Sequence, residues 1–306
     1  TAREACGNTV RNITASAKAG IDPNEPFDVT PYVNAAFNFF LRNPICQDMG
    51  RKIKMAYSSS EEDSAYTFLH DFGFIPRIQD GKRGFKVVVG GGLGAQAILA
   101  QTAYGFLEED QMIPFIEAGL RVFDRYGERT RRNKARMKYL IKEMGLERFM
   151  ELVENEKSAL KAKTFSVDTA GFSPGEPAPQ REVPQVEITN ETLYNDWLRT
   201  NVVPQKQEGF YSVSLTITNG DIKVPEAKKL AELADGFASQ DMRVTMNQGL
   251  MIKFVRKEAL PYVYSVLDSM GFAKPGFDSI ADVTTCPGTD TSAMLSNPGL
   301  AKPMLS

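Results

Sequence analysis

A single stretch constrains this chain more than any other. Residues 171–184, GFSPGEPAPQREVP, carry four prolines and two glycines in 14 positions. Proline lacks the N–H that a helix interior or a central strand needs, so no regular element passes through such a segment. The chain is therefore read as two parts joined by a linker. Its 306 residues are enough for two domains. A hydrophobic share of 42% beside a charged share of 24% is that of an ordinary globular chain and supplies enough apolar material for two cores. The expected organisation is a first domain over residues 1–165, a linker over 166–190, a second domain over 191–282 and the start of a further domain over 283–306.

Charge and composition exclude several classes. Lys and Arg number 36 against 38 Asp and Glu, for a net charge of −2, so the chain is not a globally basic nucleic-acid binder. No apolar run approaches the roughly 18 residues that cross a bilayer, so no membrane partner is expected. Three cysteines and one histidine exclude a disulfide scaffold and a histidine-rich metal site. A reducing, cytoplasmic compartment is the expectation. The chain starts at Thr1 without a leader, and its first residues resemble the middle of a structural unit, so an internal segment of a longer protein is expected.

Periodicity predicts the elements. Before the linker, a helix is expected over 28–47, with Asp28 or Thr30 as N-cap and Pro31 in the first turn. Strands are expected over 52–58 and 85–89, the latter a continuous apolar run suited to burial on both faces. Helices are expected over 95–107 and 111–126, then a long amphipathic helix over 131–161 broken near Gly145. After the linker the order is strand 210–218, helix 225–238, strand 242–246, strand 250–254 and helix 257–270. This is most of a ferredoxin-like split βαβ unit, whose sixth element is expected as a strand over 280–284. The fold class is α+β.

Four places carry chemistry. In VVVGGGLGA, Gly90, Gly91, Gly92 and Gly94 follow a strand and precede an expected helix, where backbone N–H groups suit an anion. The G-x-G-x-x-A pattern at Gly90, Gly92 and Ala95 is formally a dinucleotide fingerprint. The acidic residue that a nicotinamide cofactor needs about 20 residues on falls between two helices, which disfavours that reading. In RKIK, strand alternation places Lys52 and Lys54 on one face with Ile53 opposite. Two like charges on one strand face repel, so they suit either a multiply anionic ligand or a solvated edge strand. Arg11 and Arg51 flank the same features. Residues 121–148 hold ten basic side chains against four acidic, a pattern expected of a solvated helix face with local pairs at Glu128, Glu143 and Glu147. Cys286, in the turn CPGTDTS, suits either one iron–sulfur ligand or a structural thiol. His70, beside Asp71, is expected to be a satisfied structural histidine.

Taken together, GNTVRNITASAKAGID, FFLRNPICQDMGRKIKMAYSSSEED, DGKRGFKVVVGGGLGA, RVFDRYGERTRRNKARMKYLIK, GFYSVSLTITNGDI, RVTMNQGLMIKFV and DVTTCPGTDT resemble the sirohaem-dependent nitrite and sulfite reductases. The resemblance implies a sirohaem coupled to a 4Fe–4S cluster and a six-electron reduction of sulfite to sulfide or nitrite to ammonia. It implies that Arg11, Lys52 and Lys54 bind the anion and deliver protons. It further implies that Arg51 and Gly90–Gly94 hold some of the eight haem carboxylates. Arg243, Thr245, Asn247 and Gln248 match a motif that approaches the cofactors from a ferredoxin-like half. The implied electron donor is a ferredoxin or a flavoprotein. Two departures stand out. Cys286 matches the first cluster cysteine, but Ser292 occupies the second position, and serine oxygen is a poor substitute at such a cluster. The later C-x3-C pair and the first ferredoxin-like half are not in the chain. A truncated or non-catalytic relative that keeps the scaffold is the alternative.

Overall fold

The computed structural model describes residues 7–94 and 96–284. The chain divides between Pro174 and Gly175 into two compact units.

The first unit is a five-stranded sheet of β1 (Val10–Ala15), β2 (Ile53–Tyr57), β3 (Phe72–Gln79), β4 (Lys82–Val89) and β5 (Gln101–Glu108), in that spatial order. β1 and β3 run parallel to β2, and β4 and β5 continue antiparallel. One face carries an aromatic cluster. Tyr57 stacks on Phe74 at 4.5 Å between ring centroids, and Phe85 meets both edge-on. Two helices cover that face. α1 (Thr30–Phe40) brings Tyr32 to 5.2 Å from Phe85, and α2 (Met112–Tyr126) brings Phe115 to 5.8 Å from Phe72. Each aromatic ring so buried contributes about 2–3 kcal/mol. α3 (Met137–Met144) and α4 (Leu146–Ala159) follow, separated at Gly145, whose φ of 83° cannot continue a helix. The opposite face is covered over β3 and β4. A Cβ on Gly73 would strike Thr67 and Val88, so the turn preceding β3 lies directly on the sheet.

Several expectations change in detail. The helix expected over 28–47 ends at Phe40, and Asn43 caps a separate short turn at Pro44–Cys46 through a bond from the Ile45 N–H. The helix starts at Thr30 with Val29 as N-cap and no side-chain cap bond, so neither expected cap holds that place, although Pro31 lies in the first turn as expected and Asp28 accepts from the Thr30 N–H at 2.8 Å. β1, β3 and the helix over 191–201 are not among the expected elements.

The helix expected over 95–107 is a correction, because residues 101–108 form β5. The apolar spacing of AQAILAQTAYGFL fits either period. What decides is the open edge of β4, against which Tyr104 pairs with Val87 and Leu107 with Phe85. Cross-strand packing of aromatic and branched side chains outweighs a weak local preference.

The second unit is an antiparallel sheet of β6 (Val202–Pro204), β7 (Phe210–Leu215), β9 (Leu250–Arg256) and β8 (Arg243–Val244), in that spatial order. It packs with α5 (Glu191–Asn201), α6 (Val224–Phe237) and α7 (Leu260–Asp268) around a core that includes Leu215, Leu230, Ile252 and Val263. Trp197 of α5 is fully buried, 5.1 Å from the Tyr264 ring. The β7-α6-β8-β9-α7 order is ferredoxin-like. The strand expected over 280–284 does not form: Ile280 and Val283 are exposed in a turn and an irregular segment. The sheet position beside β7 is already filled by β6, which arrives from the N-terminal side. The linker is docked at both ends, with Phe165 and Val167 against the first core and Val183 and Ile188 against the second.

The β4–β5 connection is close-packed. A Cβ on Gly91 would lie 2.2 Å from the Phe68 carbonyl oxygen, whereas one on Gly105 would meet nothing within 4 Å. Gly91→Ala is therefore expected to destabilise the first unit by about 3 kcal/mol, and Gly105→Ala to be neutral within about 0.5 kcal/mol, as measured by thermal denaturation.

Candidate functional site

The cationic cluster is assembled where β1 and β2 begin. Ile53 and Met55 are buried while Lys52 and Lys54 are part-exposed, so the expected alternation holds along β2. Arg11 reaches the same region by a register shift. Val10 pairs with Ile53 but Asn12 pairs with Lys54, which leaves Arg11 as an extra residue in β1. A bulge of this kind re-aims a side chain, and here the Arg11 Nε donates to the Gly7 carbonyl at 2.9 Å.

The charges sense one another. Burial pushes the Arg51 guanidinium below its ordinary value, and the neighbouring charges of Arg132, Arg11 and Arg136 push it further. Lys52 is lowered by burial and then by Arg11, Lys54, Arg136 and Arg51. Like charges accumulate here without enough carboxylates to neutralise them. The Nε of Arg51 is also buried without a hydrogen-bond partner. A buried charged donor left unsatisfied is costly in a protein alone and suits an anionic ligand.

One carboxylate enters the cluster. Asp71 is fully buried, and its Oδ1 and Oδ2 accept from Arg136 Nη2 at 2.9 and 3.0 Å. Its Oδ2 also accepts from the Lys54 backbone N–H at 3.0 Å. Burial pushes this carboxyl up, against the opposing pull of Arg136 and the Lys54 N–H. Its neighbour His70 places Nδ1 2.8 Å from the Tyr66 carbonyl, and burial disfavours its charged form, as suits a satisfied structural imidazole.

The glycine run behaves differently from the expectation. No helix follows it, so it does not form a helix N-terminus. The N–H groups of Gly90, Gly91 and Gly92 donate to the carbonyls of Asp71, His70 and Ile98. The loop instead offers carbonyls to a cation. Lys138, buried, donates its Nζ to the carbonyls of Gly92 at 3.1 Å and Leu93 at 3.0 Å, and to that of Gln96. Gly92 makes room for this: a Cβ there would stand 2.9 Å from Arg136 Nη2 and 3.5 Å from Lys138 Cδ. The run also lacks the helix context of a dinucleotide site.

Arg132, Arg136 and Lys138 were grouped by sequence with a solvated helix face. That description suits Arg121, Arg125 and Arg148, which lie on helices and pair with Glu117, Glu156 and Glu151, whereas Arg129 and Arg131 pair with Asp124 and Glu128 from the irregular segment between α2 and α3. Arg136 instead precedes α3 in an extended conformation and turns inward. The available signal was the partner: an aspartate set among apolar residues in HDFGF calls for a cation to offset its charge.

In the second unit, RVTMNQ forms the tip of the β8–β9 hairpin. Thr245 closes the turn, its N–H donating to the Gly249 carbonyl and its Oγ1 accepting from the Gly249 N–H. Asn247 donates to Asp278 at 3.3 Å and Asp282 at 3.1 Å, and Gln248 is left-handed at φ 59°. Arg243 lies in β8, opposite Met251. Cys286, the one expected metal ligand, lies outside the described residues.

Comparison with known proteins identifies the family. A family described as "Nitrite and sulphite reductase 4Fe-4S domain" matches residues 6–161, about half of the chain, and "Nitrite/Sulfite reductase ferredoxin-like half domain" matches residues 203–270. The chain belongs to the nitrite and sulphite reductase family. It is 28% identical over 263 residues to a chloroplastic ferredoxin–nitrite reductase of Oryza sativa subsp. japonica, covering 84% of this chain and 41% of the relative. It is also 28% identical to the ferredoxin–nitrite reductase of Synechococcus elongatus, covering 83% of this chain and 46% of the relative. The solved structure of the Mycobacterium tuberculosis NirA protein superposes with a TM-score of 0.69 at 26% identity, over 89% of this chain and 46% of that one. The chain thus spans less than half the length of these relatives.

The residues present fit a carboxylate-rich tetrapyrrole, since the cluster is cationic, partly desolvated and holds an unpartnered Arg51 donor. The described residues do not by themselves hold an iron–sulfur cluster. Among the described residues no group of three His, Cys, Asp or Glu is arranged around a metal, and burial pushes the Cys46 thiol up to about 12.

Lys138→Met would leave three loop carbonyls without their cation. A loss of about 1–3 kcal/mol in stability is expected, with faster amide hydrogen exchange of residues 92 and 98 and unchanged exchange in α7.

Proposed function

We propose that this chain is part of a sirohaem-dependent oxyanion reductase acting on nitrite, or on sulfite, with a ferredoxin as electron donor. The observation that carries the reading is the group of mutually repelling cations around Arg51 and Lys52, whose lowered values an anion would restore. The names of the relatives, ferredoxin–nitrite reductases, favour nitrite and ferredoxin.

In this reading Arg11, Lys52 and Lys54 bind the small oxyanion, and Arg51 receives carboxylates of the haem. Sirohaem with its coupled cluster, when bound, supplies electrons singly to a reaction that consumes six. The chain's own part is electrostatic and protic. Lys52 and Lys54 neutralise the bound anion and give protons to departing oxygen as water forms. Arg243, Thr245, Asn247 and Gln248 form the surface offered by the second unit, and Cys286 supplies a cluster thiolate. Gly92 acts by letting Arg136 and Lys138 approach, and the N–H groups of Gly90, Gly91 and Gly92 are already taken by carbonyls, which leaves Gly94 as the member of the run that could still offer an N–H to a carboxylate. A second reading, a scaffold without a complete cluster, is favoured by Ser292 where the family places a cysteine.

The test uses protein from a sirohaem-producing host. Lys52→Met and Lys54→Met are each expected to lower turnover by about 100-fold or more while haem absorbance per chain is unchanged. Unchanged turnover contradicts the assignment. Haem bands without stoichiometric acid-labile sulfide support the scaffold reading. The sign of the pH dependence follows from Lys52. Its pKa is lowered in the protein and raised again by a bound anion, so binding takes up protons. Anion affinity is expected to fall as pH rises through that lowered value, earlier than an ordinary lysine loses its charge.

A further inference from the structure

We propose that Asp71 is a positioning residue of the anion site, fixing the Lys54 backbone and the Arg136 guanidinium so that mutually repelling cations share one face. The proposal rests on the reading of that cluster as an oxyanion site.

Three connections meet at this residue. Its Oδ2 accepts the Lys54 N–H at 3.0 Å, which fixes the strand segment that carries both lysines. Its carboxylate holds Arg136 at 2.9 and 3.0 Å, which keeps that cation from relaxing away from Arg51 and Lys52. Its own carbonyl accepts from the Gly90 N–H at 2.9 Å, so the glycine loop is tied to the same point. The side chain is completely buried, and the charged or titratable groups that act on it include Arg136, His70 and Lys138. A buried ion pair of this kind is poor at stabilising a fold and better suited to specifying one arrangement. This one lies a single peptide from the face that carries the lysines.

The consequence has a sign that charge counting reverses. Asp71→Asn removes a negative charge from a cationic site, so electrostatics alone requires tighter anion binding. Loss of positioning requires the opposite. The experiment is calorimetric titration of the chain with inorganic phosphate as the oxyanion probe. It compares the natural protein with Asp71→Asn and with Arg136→Lys, which preserves net charge but not the two-point grip.

Phosphate affinity is expected to fall on the order of tenfold in Asp71→Asn and several-fold in Arg136→Lys, the range seen when a supporting partner of a ligand-binding group is removed. Equal or tighter binding by Asp71→Asn overturns the proposal. Should that variant fail to fold, unchanged affinity in Arg136→Lys overturns it. Failure of the natural chain itself to bind phosphate removes the oxyanion reading and the proposal together, and is distinct from an altered ranking among variants.

Discussion

The site depends on one buried ion pair. Arg11, Arg51, Lys52, Lys54, Arg132 and Arg136 converge on one end of the first unit, where burial and then their mutual repulsion disfavour the charged forms of Arg51 and Lys52. Asp71 is the carboxylate placed among them. It draws on the backbone of Lys54 as well as the side chain of Arg136, so one residue both offsets charge and fixes register. The remaining excess of positive charge is what an anionic ligand would neutralise.

The rest of the first unit supports that pair. The aromatic layer of Tyr57, Phe72, Phe74, Phe85 and Phe115 holds the sheet on α2 and so sets where β2 and β3 begin. The glycines beyond β4 permit two further crossings, Gly91 beneath the Phe68 carbonyl and Gly92 beneath Arg136 and Lys138. Their contribution is absence of bulk. Lys138 then closes the loop by donating to its carbonyls, which places a cation on the side opposite to that expected from a phosphate cradle.

Much of this was legible in the sequence, for physical reasons that differ by element. The proline-rich stretch, the α2 stripe and the break at Gly145 are local signals that tertiary structure leaves alone. The alternation in RKIK likewise survived, because burying Ile53 and Met55 leaves Lys52 and Lys54 no other side. Residues 95–107 misled because helical and strand periods coincide there, and the open edge of β4 is not visible in a local window. The strand expected over 280–284 was displaced by β6, a competitor from the other side of the unit. Arg136 and Lys138 were hidden in a run of basic residues of which Arg121, Arg125, Arg129, Arg131 and Arg148 pair with other carboxylates. Only the partners, Asp71 and the loop carbonyls, distinguish them.

The central claim is that the cations of the first unit form a receptor for a carboxylate-rich tetrapyrrole. It is tested most directly by titrating sirohaem into the purified chain at increasing ionic strength, with binding followed by absorbance. The account predicts saturable one-to-one binding that weakens steadily as salt screens the cluster, and that weakens further when Arg51 is replaced by methionine. Binding that ignores both salt and Arg51→Met, or no binding by a chain whose fold is intact, would contradict it.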